Sequence, residues 1–253
     1  MMKVKTIFVM ILIHAASLNA HQPVMDMAPR WNGGYGIQFR YERFDSKKIK
    51  TSNSVDQFLQ ETLWAEGVYT WNRAKRITFK LPFHRMISDS KIDHYTGDLI
   101  LALPLKKYSN FKQRTQNFGL TPQIQLPLGN IKTGGQLGGG LSLSYSSESF
   151  AFYQLHDLYF WIYDEKKPML GFDLNLGNHP IHNNSSNSGL FAMWDVTAKW
   201  TEASTTILSG PVLVPYYQNI MARLEIKFPV IENGKNGHIL RGPTLNVGLG
   251  FVF

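Results

Sequence analysis

The chain has no cysteine among its 253 residues. That excludes a disulfide-stapled secreted domain and any thiolate metal site. Charge is also scarce, at 17% of residues against about 25% in an ordinary soluble chain. Hydrophobic residues make up 43% and aromatics 13%, too apolar a mix for a disordered chain. After the first twenty residues no run of 18 apolar residues occurs, which excludes a membrane protein built of helices. There is no Walker loop, GxGxxG turn, HExxH or paired-carboxylate motif, so no cofactor is implied. The SYSSES stretch at 144–149 lacks the flanking glycines of a nucleophile elbow.

What is present begins with a leader. Met1 to Lys5 are basic, Ile7 to Ile13 are apolar, and SLNA ends at Ala20. This is the layout of a signal peptide, and its apolar core is too short to span a bilayer. The expected division is a signal peptide at 1–20, a periplasmic tail at 21–34 and one domain at 35–253. Formal net charge is +8, and cleavage would remove Lys3 and Lys5 and no acid, leaving +6. An exported chain has no use for that excess on nucleic acid, so the surplus points to anionic surfaces.

The dominant period is two. From Tyr35 to Phe44, Tyr35, Ile37, Phe39 and Tyr41 share one face and Gly36, Gln38, Arg40 and Glu42 the other. Ile77, Phe79, Leu81 and Phe83 alternate with Thr78, Lys80 and Pro82. Ile220, Ala222, Leu224, Ile226 and Phe228 alternate with Met221, Arg223, Glu225 and Lys227. Repeated segments of about ten residues with one apolar and one polar face are the signature of a transmembrane β-barrel. Tyr35, Tyr41, Trp71, Trp200 and Phe253 sit near the ends of apolar faces, as girdle residues do. Twelve segments are countable, near 35–44, 61–71, 76–84, 97–106, 116–128, 138–147, 150–162, 168–176, 189–200, 204–213, 218–229 and 242–253. The expected fold is all-β, a closed antiparallel transmembrane barrel of about twelve strands, with ten and fourteen as neighbouring counts. Residues 45–60 and 85–96 read as long external loops and 72–75 as a short internal turn. On that count 177–188 falls on the periplasmic side, where it is too long for a turn and points to a miscount in the middle.

The chain ends NVGLGFVF. Asn246, Gly248, Phe251 and Phe253 follow the polar-x-Gly-x-x-hydrophobic-x-aromatic pattern and resemble the terminal strand by which bacterial outer-membrane barrels are recognised for assembly. The physical logic is strand addition at an open edge. The expected location is the bacterial outer membrane and the expected partner the barrel-assembly machinery.

Longer phrases carry a family resemblance. TGDLILALPLKKY, LTPQIQLPLGN with the following GGQLGGGLSLSYSSES, and LSGPVLVPYYQNIMARLEIKFPV resemble the outer-membrane proteins of the MetA pathway of phenol degradation, a barrel family regarded as transporters. The likeness covers roughly 97–253 with gaps. Leu128 stands where a Thr is commoner, and Asn130 where the family has an acid. The resemblance implies an outer-membrane channel or transporter for small molecules, apolar or aromatic ones among them, and no enzyme.

The polar faces place Arg40, Lys80, Lys106, Lys199, Arg223 and Lys227 in the lumen with Glu42, Glu66, Asp98, Asp173, Asp195 and Glu225. Six balance six, which suits either a polar passage or an ionically cross-linked, closed interior. Lys47, Lys48 and Lys50 cluster in the first long loop and would face lipopolysaccharide phosphates. After cleavage His21 would be the amino terminus, and with Met25 and Met27 it offers a soft metal site, set against a plain periplasmic tail. His182, Ser185 and Ser186 superficially resemble the residues of an outer-membrane phospholipase, but they fall in NHPIHNNSSNSG, a loop-like stretch. His156 and Asp157 are neighbours, and neighbours on a strand point to opposite faces. The function expected is therefore a channel or transporter. A barrel lipid hydrolase and a non-conducting binding or structural barrel are the alternatives.

Overall fold

The computed structural model describes residues 34–49, 55–72, 74–88, 91–112, 114–129, 135–149, 152–202, 204–234 and 239–253. The segment expected as a signal peptide, the expected tail with His21, Met25 and Met27, and Lys50 lie outside them, as do the side chains of Lys47 and Lys48. The described chain forms twelve antiparallel strands. They are β1 (Gly34–Ile49), β2 (Val55–Asn72), β3 (Lys75–Ser88), β4 in three segments (Lys91–Thr96, Leu99–Ala102, Leu105–Asn110), β5 (Arg114–Leu126) and β6 (Gly138–Ser149). They continue as β7 (Tyr153–Tyr163), β8 (Met169–Asn183), β9 (Ser188–Thr201), β10 (Ser204–Tyr217), β11 (Ile220–Gly234) and β12 (Ile239–Val252). Each strand pairs with its neighbours in sequence, and β12 returns to β1 from Gly36↔Val252 to Lys48↔Ile239. The sheet is a closed ring.

The ring is inside out relative to a soluble fold. Phe39, Leu63, Phe83, Leu143, Leu158, Phe228 and Leu249 point outward and are 42–56% exposed. Gln38, Glu66, Asp195, Glu225 and Asn246 alternate with such residues and are buried to 5% or less. No water-soluble protein leaves so broad an apolar belt uncovered. Hydrocarbon requires it, and requires every backbone group to be satisfied within the wall. On the belt, Trp194 still gives its indole N–H to Ser209 at 2.7 Å. Tyr35, Tyr69 and Trp71 form a ring cluster at one rim, with centroids 4.7 and 5.0 Å apart.

The two ends of the barrel differ. At one end β2–β3, β4–β5, β6–β7, β8–β9 and β10–β11 are joined by at most four residues, and the start of β1 and the end of β12 lie there. At the other, the β5–β6 connection runs from 127 to 137 and the β1–β2 hairpin continues beyond the belt. Short turns mark the periplasmic end and longer connections the external one.

Three expectations about connections are corrected. Residues 45–60 are mostly strand, because cross-strand pairing persists from Asp45↔Leu59 to Ile49↔Val55. Residues 85–96 likewise pair from Arg85↔His94 to Ser88↔Lys91. The 177–188 stretch is not a long periplasmic loop: β8 runs to Asn183 and β9 starts at Ser188, leaving only 184–187 as the turn. The count of twelve therefore stands without a missing hairpin.

Two irregularities shape the lumen. β4 breaks at Gly97–Asp98 and at Leu103–Pro104. A Cβ on Gly97 would come within 2.6 Å of Pro82, and Pro104 has no N–H to give the ladder. Isolated bonds stitch the second gap, Arg76 N–H to the Pro104 carbonyl at 3.3 Å and Lys106 N–H to the Ala74 carbonyl at 2.8 Å. β8 carries a bulge. Asn178 pairs with Ala192 but the next pair is Ile181↔Leu190, so His179 and Pro180 together oppose Phe191. Such an insertion re-aims the side chains that follow it.

Candidate functional site: the lumen of the barrel

The inward faces enclose a cavity of about 540 Å³ to which all twelve strands contribute. Arg40, Glu42, Glu66, Lys80, Lys106, Asp173, Asp195, Lys199, Arg223, Glu225 and Lys227 line it. Alternation alone was enough to place these, since one polar residue fixes the parity of its whole strand.

Part of the charge is tied into two knots. On β9 and β11, Lys227 Nζ lies 2.7 Å from Asp195 and 2.8 Å from Glu225, and Arg223 Nε lies 2.8 Å from Glu225. Lys227 also donates to the Thr197 hydroxyl at 2.8 Å. On β1, β2 and β12, Arg40 reaches Glu66 at 3.0 Å and Glu42 at 3.3 Å and donates to the side-chain oxygen of Asn246. The Arg40 guanidinium lies 5.1 Å from the Trp64 ring centre, and Arg241 lies 3.6 Å over Phe44.

Other charged residues of the lining come from neighbouring strands. Asp157, Asp173 and Asp195 come from the consecutive strands β7, β8 and β9, with Asp157 directly opposite Asp173. Like charges in that relation cost stability. Arg76, Lys80 and Lys106 come from β3 and β4, and β3 faces β9 across a ring of twelve. Lys199 of β9 lines the cavity beside these carboxylates, and Glu66 stands opposite Lys80 in register, so both walls carry both signs and the lumen is polar all round.

The same β7 face carries Tyr159, Trp161 and Tyr163. Trp161 and Tyr163 are parallel within 9° with centroids 6.0 Å apart. The rings lie against glycine backbone: a Cβ on Gly140 would meet the Trp161 indole at 2.7 Å, and one on Gly171 would strike Tyr159. Absent side chains on the neighbouring strands let the aromatic faces lie flat along the wall. Sequence reading missed this ladder because YQLHDLYFWIY is apolar on both faces. Asp157 held the signal, since its parity assigns 159, 161 and 163 to the lumen.

Towards the periplasm the lumen is filled. Tyr153, Leu155, Met193, Val212 and Val214 form one apolar cluster, with Val212 and Val214 at 0% and 1% exposure. Val68, Tyr216, Met221 and Val252 form a second, and Phe191 packs against both. The β8 bulge delivers His179 onto Phe191, with ring centroids 3.5 Å apart and planes 21° from parallel. It also brings His182 inward, where its Nδ1 is 2.8 Å from the Tyr216 hydroxyl. Across the barrel the level is occupied by buried Arg76, Asn117, Ser146 and Glu148, and Asn117 is hydrogen-bonded to Ser146. The inward faces are therefore packed, largely with apolar side chains, at the periplasmic end of the barrel.

Asp98, expected in the lumen, meets the lumen-lining Gln125 but does not itself line the cavity. Its carboxylate accepts from Gly129 N–H at 2.9 Å, Gln136 N–H at 3.2 Å and the Gln125 amide at 2.7 Å. It anchors both ends of the 127–137 connection to the wall, because the break in β4 turns it toward that connection. Replacing Asp98 by Ala is expected to free the connection, and limited proteolysis should then cut between 127 and 137 faster than in the parent.

The other sequence candidates separate. His182 bonds Tyr216, Ser185 bonds Asn183 at 2.7 Å, and Ser186 bonds Ser188 at 2.6 Å, so they do not assemble a nucleophile–base pair. His182 is in β8, not in a loop. His156 stacks on the outer face beside Tyr145 and Phe172, while Asp157 faces the cavity. Asn246 and Gly248 face inward on β12, and Phe253 closes the seam through paired backbone bonds with Tyr35 at 2.7 and 3.1 Å. Among the described residues no group of three metal-ligating side chains converges.

These features define a transmembrane β-barrel of the outer-membrane type. The barrel superposes on the crystal structure of an outer-membrane channel from Pseudomonas putida F1 with a TM-score of 0.69 and 15% identity, over 87% of this chain and 96% of that one. It also resembles the β domain of the Bordetella autotransporter Brka, with a TM-score of 0.50 and 10% identity, over 87% of this chain and 100% of that one. At such identities the likeness is one of fold. No protein-family model and no curated protein matches the chain.

Proposed function

We propose that the protein is an outer-membrane channel for small molecules, planar aromatic ones among them. The observation that carries this is the cavity itself, lined from all twelve strands and walled on one side by Tyr159, Trp161 and Tyr163. A flat aromatic face binds another ring in offset or edge-on geometry, and the charged side chains that line the same cavity offer partners for a polar substituent. Two things support the reading: the P. putida neighbour is described as an outer-membrane channel, and the sequence phrases resemble the transporters of the phenol MetA pathway.

The test is solute flux into proteoliposomes. The parent protein should admit a small aromatic solute faster than protein-free vesicles do. Trp161→Ala should slow that flux by about three- to tenfold, the worth of one ring contact, and leave an aliphatic solute of equal size unaffected. Absence of flux for any solute would sink the proposal and favour a non-conducting binding barrel. The periplasmic stopper is the observation on that side.

A further inference from the structure

The outer wall is not uniformly convex. A groove of about 800 Å³ crosses it from β3 to β8, almost wholly apolar. Strand register gives its shape. Lys75, Leu105, Leu120, Leu143, Leu158 and Phe172 are successive cross-strand partners on the outer face, and they form one continuous row. Lys107, Phe118, Tyr145 and His156 form a parallel row beside it. Gly119 and the broken β4 make the floor.

Each row has a lysine at one end and rings or leucines along the rest. The lysine ends are periplasmic. Lys75 is the first residue of β3 after a short periplasmic turn, whereas Phe172 lies near the external end of β8. Because barrel strands are tilted, a row perpendicular to them climbs into the hydrocarbon as it goes. The longer row crosses five strand spacings, about 24 Å at about 4.8 Å each, the reach of an extended acyl chain. Lys75 and Lys107 are both exposed on the outer face. An ammonium at the bilayer surface attracts anionic headgroups.

The geometry points to a lipid site: one acyl chain of an anionic phospholipid of the periplasmic leaflet lies in the groove, with its phosphate between Lys75 and Lys107. Charge complementarity and the direction of the rows select that lipid over lipopolysaccharide, whose phosphates lie at the opposite surface.

The test is native mass spectrometry of the refolded barrel taken from micelles containing equal phosphatidylglycerol and phosphatidylcholine. The parent should retain one phosphatidylglycerol in preference. The double variant K75Q/K107Q should lose that preference by roughly tenfold, the scale two surface lysines set. K166Q/K167Q, altered in the external β7–β8 turn, should keep it. Equal retention of phosphatidylglycerol by K75Q/K107Q and the parent overturns the site, as does a parent that shows no preference or that takes lipid A in its place. Heat-modified mobility on gels confirms that each variant is folded before it is measured.

Discussion

Phe191→Ala combined with Val214→Ala is expected to widen the periplasmic end of the lumen, raising single-channel conductance in planar bilayers by roughly an order of magnitude. Phe191 is the one side chain packed against both apolar clusters, and it also carries the His179 ring. Val214, 1% exposed, is its cross-strand partner on β10. An apolar constriction excludes ions by leaving water no polar partner, so its removal lets water and ions in together. Each truncation also creates a cavity. A fully buried Phe→Ala change costs about 3–5 kcal/mol; Phe191 is partly buried and costs less, but the variant should still unfold at lower denaturant while conducting better. Leu143→Ala, on the lipid face, is the control and should leave conductance unchanged. A parent barrel that already conducts as well as the double variant would refute the stopper.

Glu225→Ala should be the most destabilising change to a charged side chain in the lumen. Its carboxylate, whose side chain is 2% exposed, lies 2.8 Å from both Arg223 and Lys227. Removing it leaves two buried cations to share Asp195. Breaking a buried ion pair from one side costs about 3–5 kcal/mol, and the adjacent water-accessible cavity puts this case at the low end. Urea unfolding of the refolded barrel measures the loss. The triple variant R223L/E225L/K227M should recover most of it, because replacing the whole group removes the uncompensated charge. Failure of the triple variant to recover would mean that Glu225 acts through something other than its cations.

The wall of this barrel was legible because its rule is binary: apolar out, polar in. Arg40, Glu42, Asp195 and Lys227 each fixed a strand's inward parity, and the twelve segments counted from alternation correspond one to one with the strands. The stopper was not legible for the same reason. It is built where the inward face is also apolar, in the unbroken run PVLVPYY and at Phe191, Met193 and Met221. Those last three shared a face with Asp195 or Arg223, and that sharing was the available signal. The bulge at His179–Pro180 and the breaks in β4 come from local packing against Phe191, Pro82 and His84, contacts between residues that alternation does not compare. Asp98 has the inward parity expected, but its bonds to Gly129 and Gln136 belong to the 127–137 connection, a contact that alternation does not show.

The seam between β1 and β12 has a kinetic meaning. Arg40 and Asn246 meet across it although 206 residues separate them. In chain-entropy terms, joining such distant partners is only about 3 kcal/mol dearer than closing a hairpin, at about 0.6 kcal/mol for each doubling of the loop. Against that stand twelve registered residue pairs along the seam, and in hydrocarbon each backbone group left open there costs several kcal/mol. Joining the ends therefore works as a latch: cheap to set, and once set inside a bilayer, without a route of gradual release.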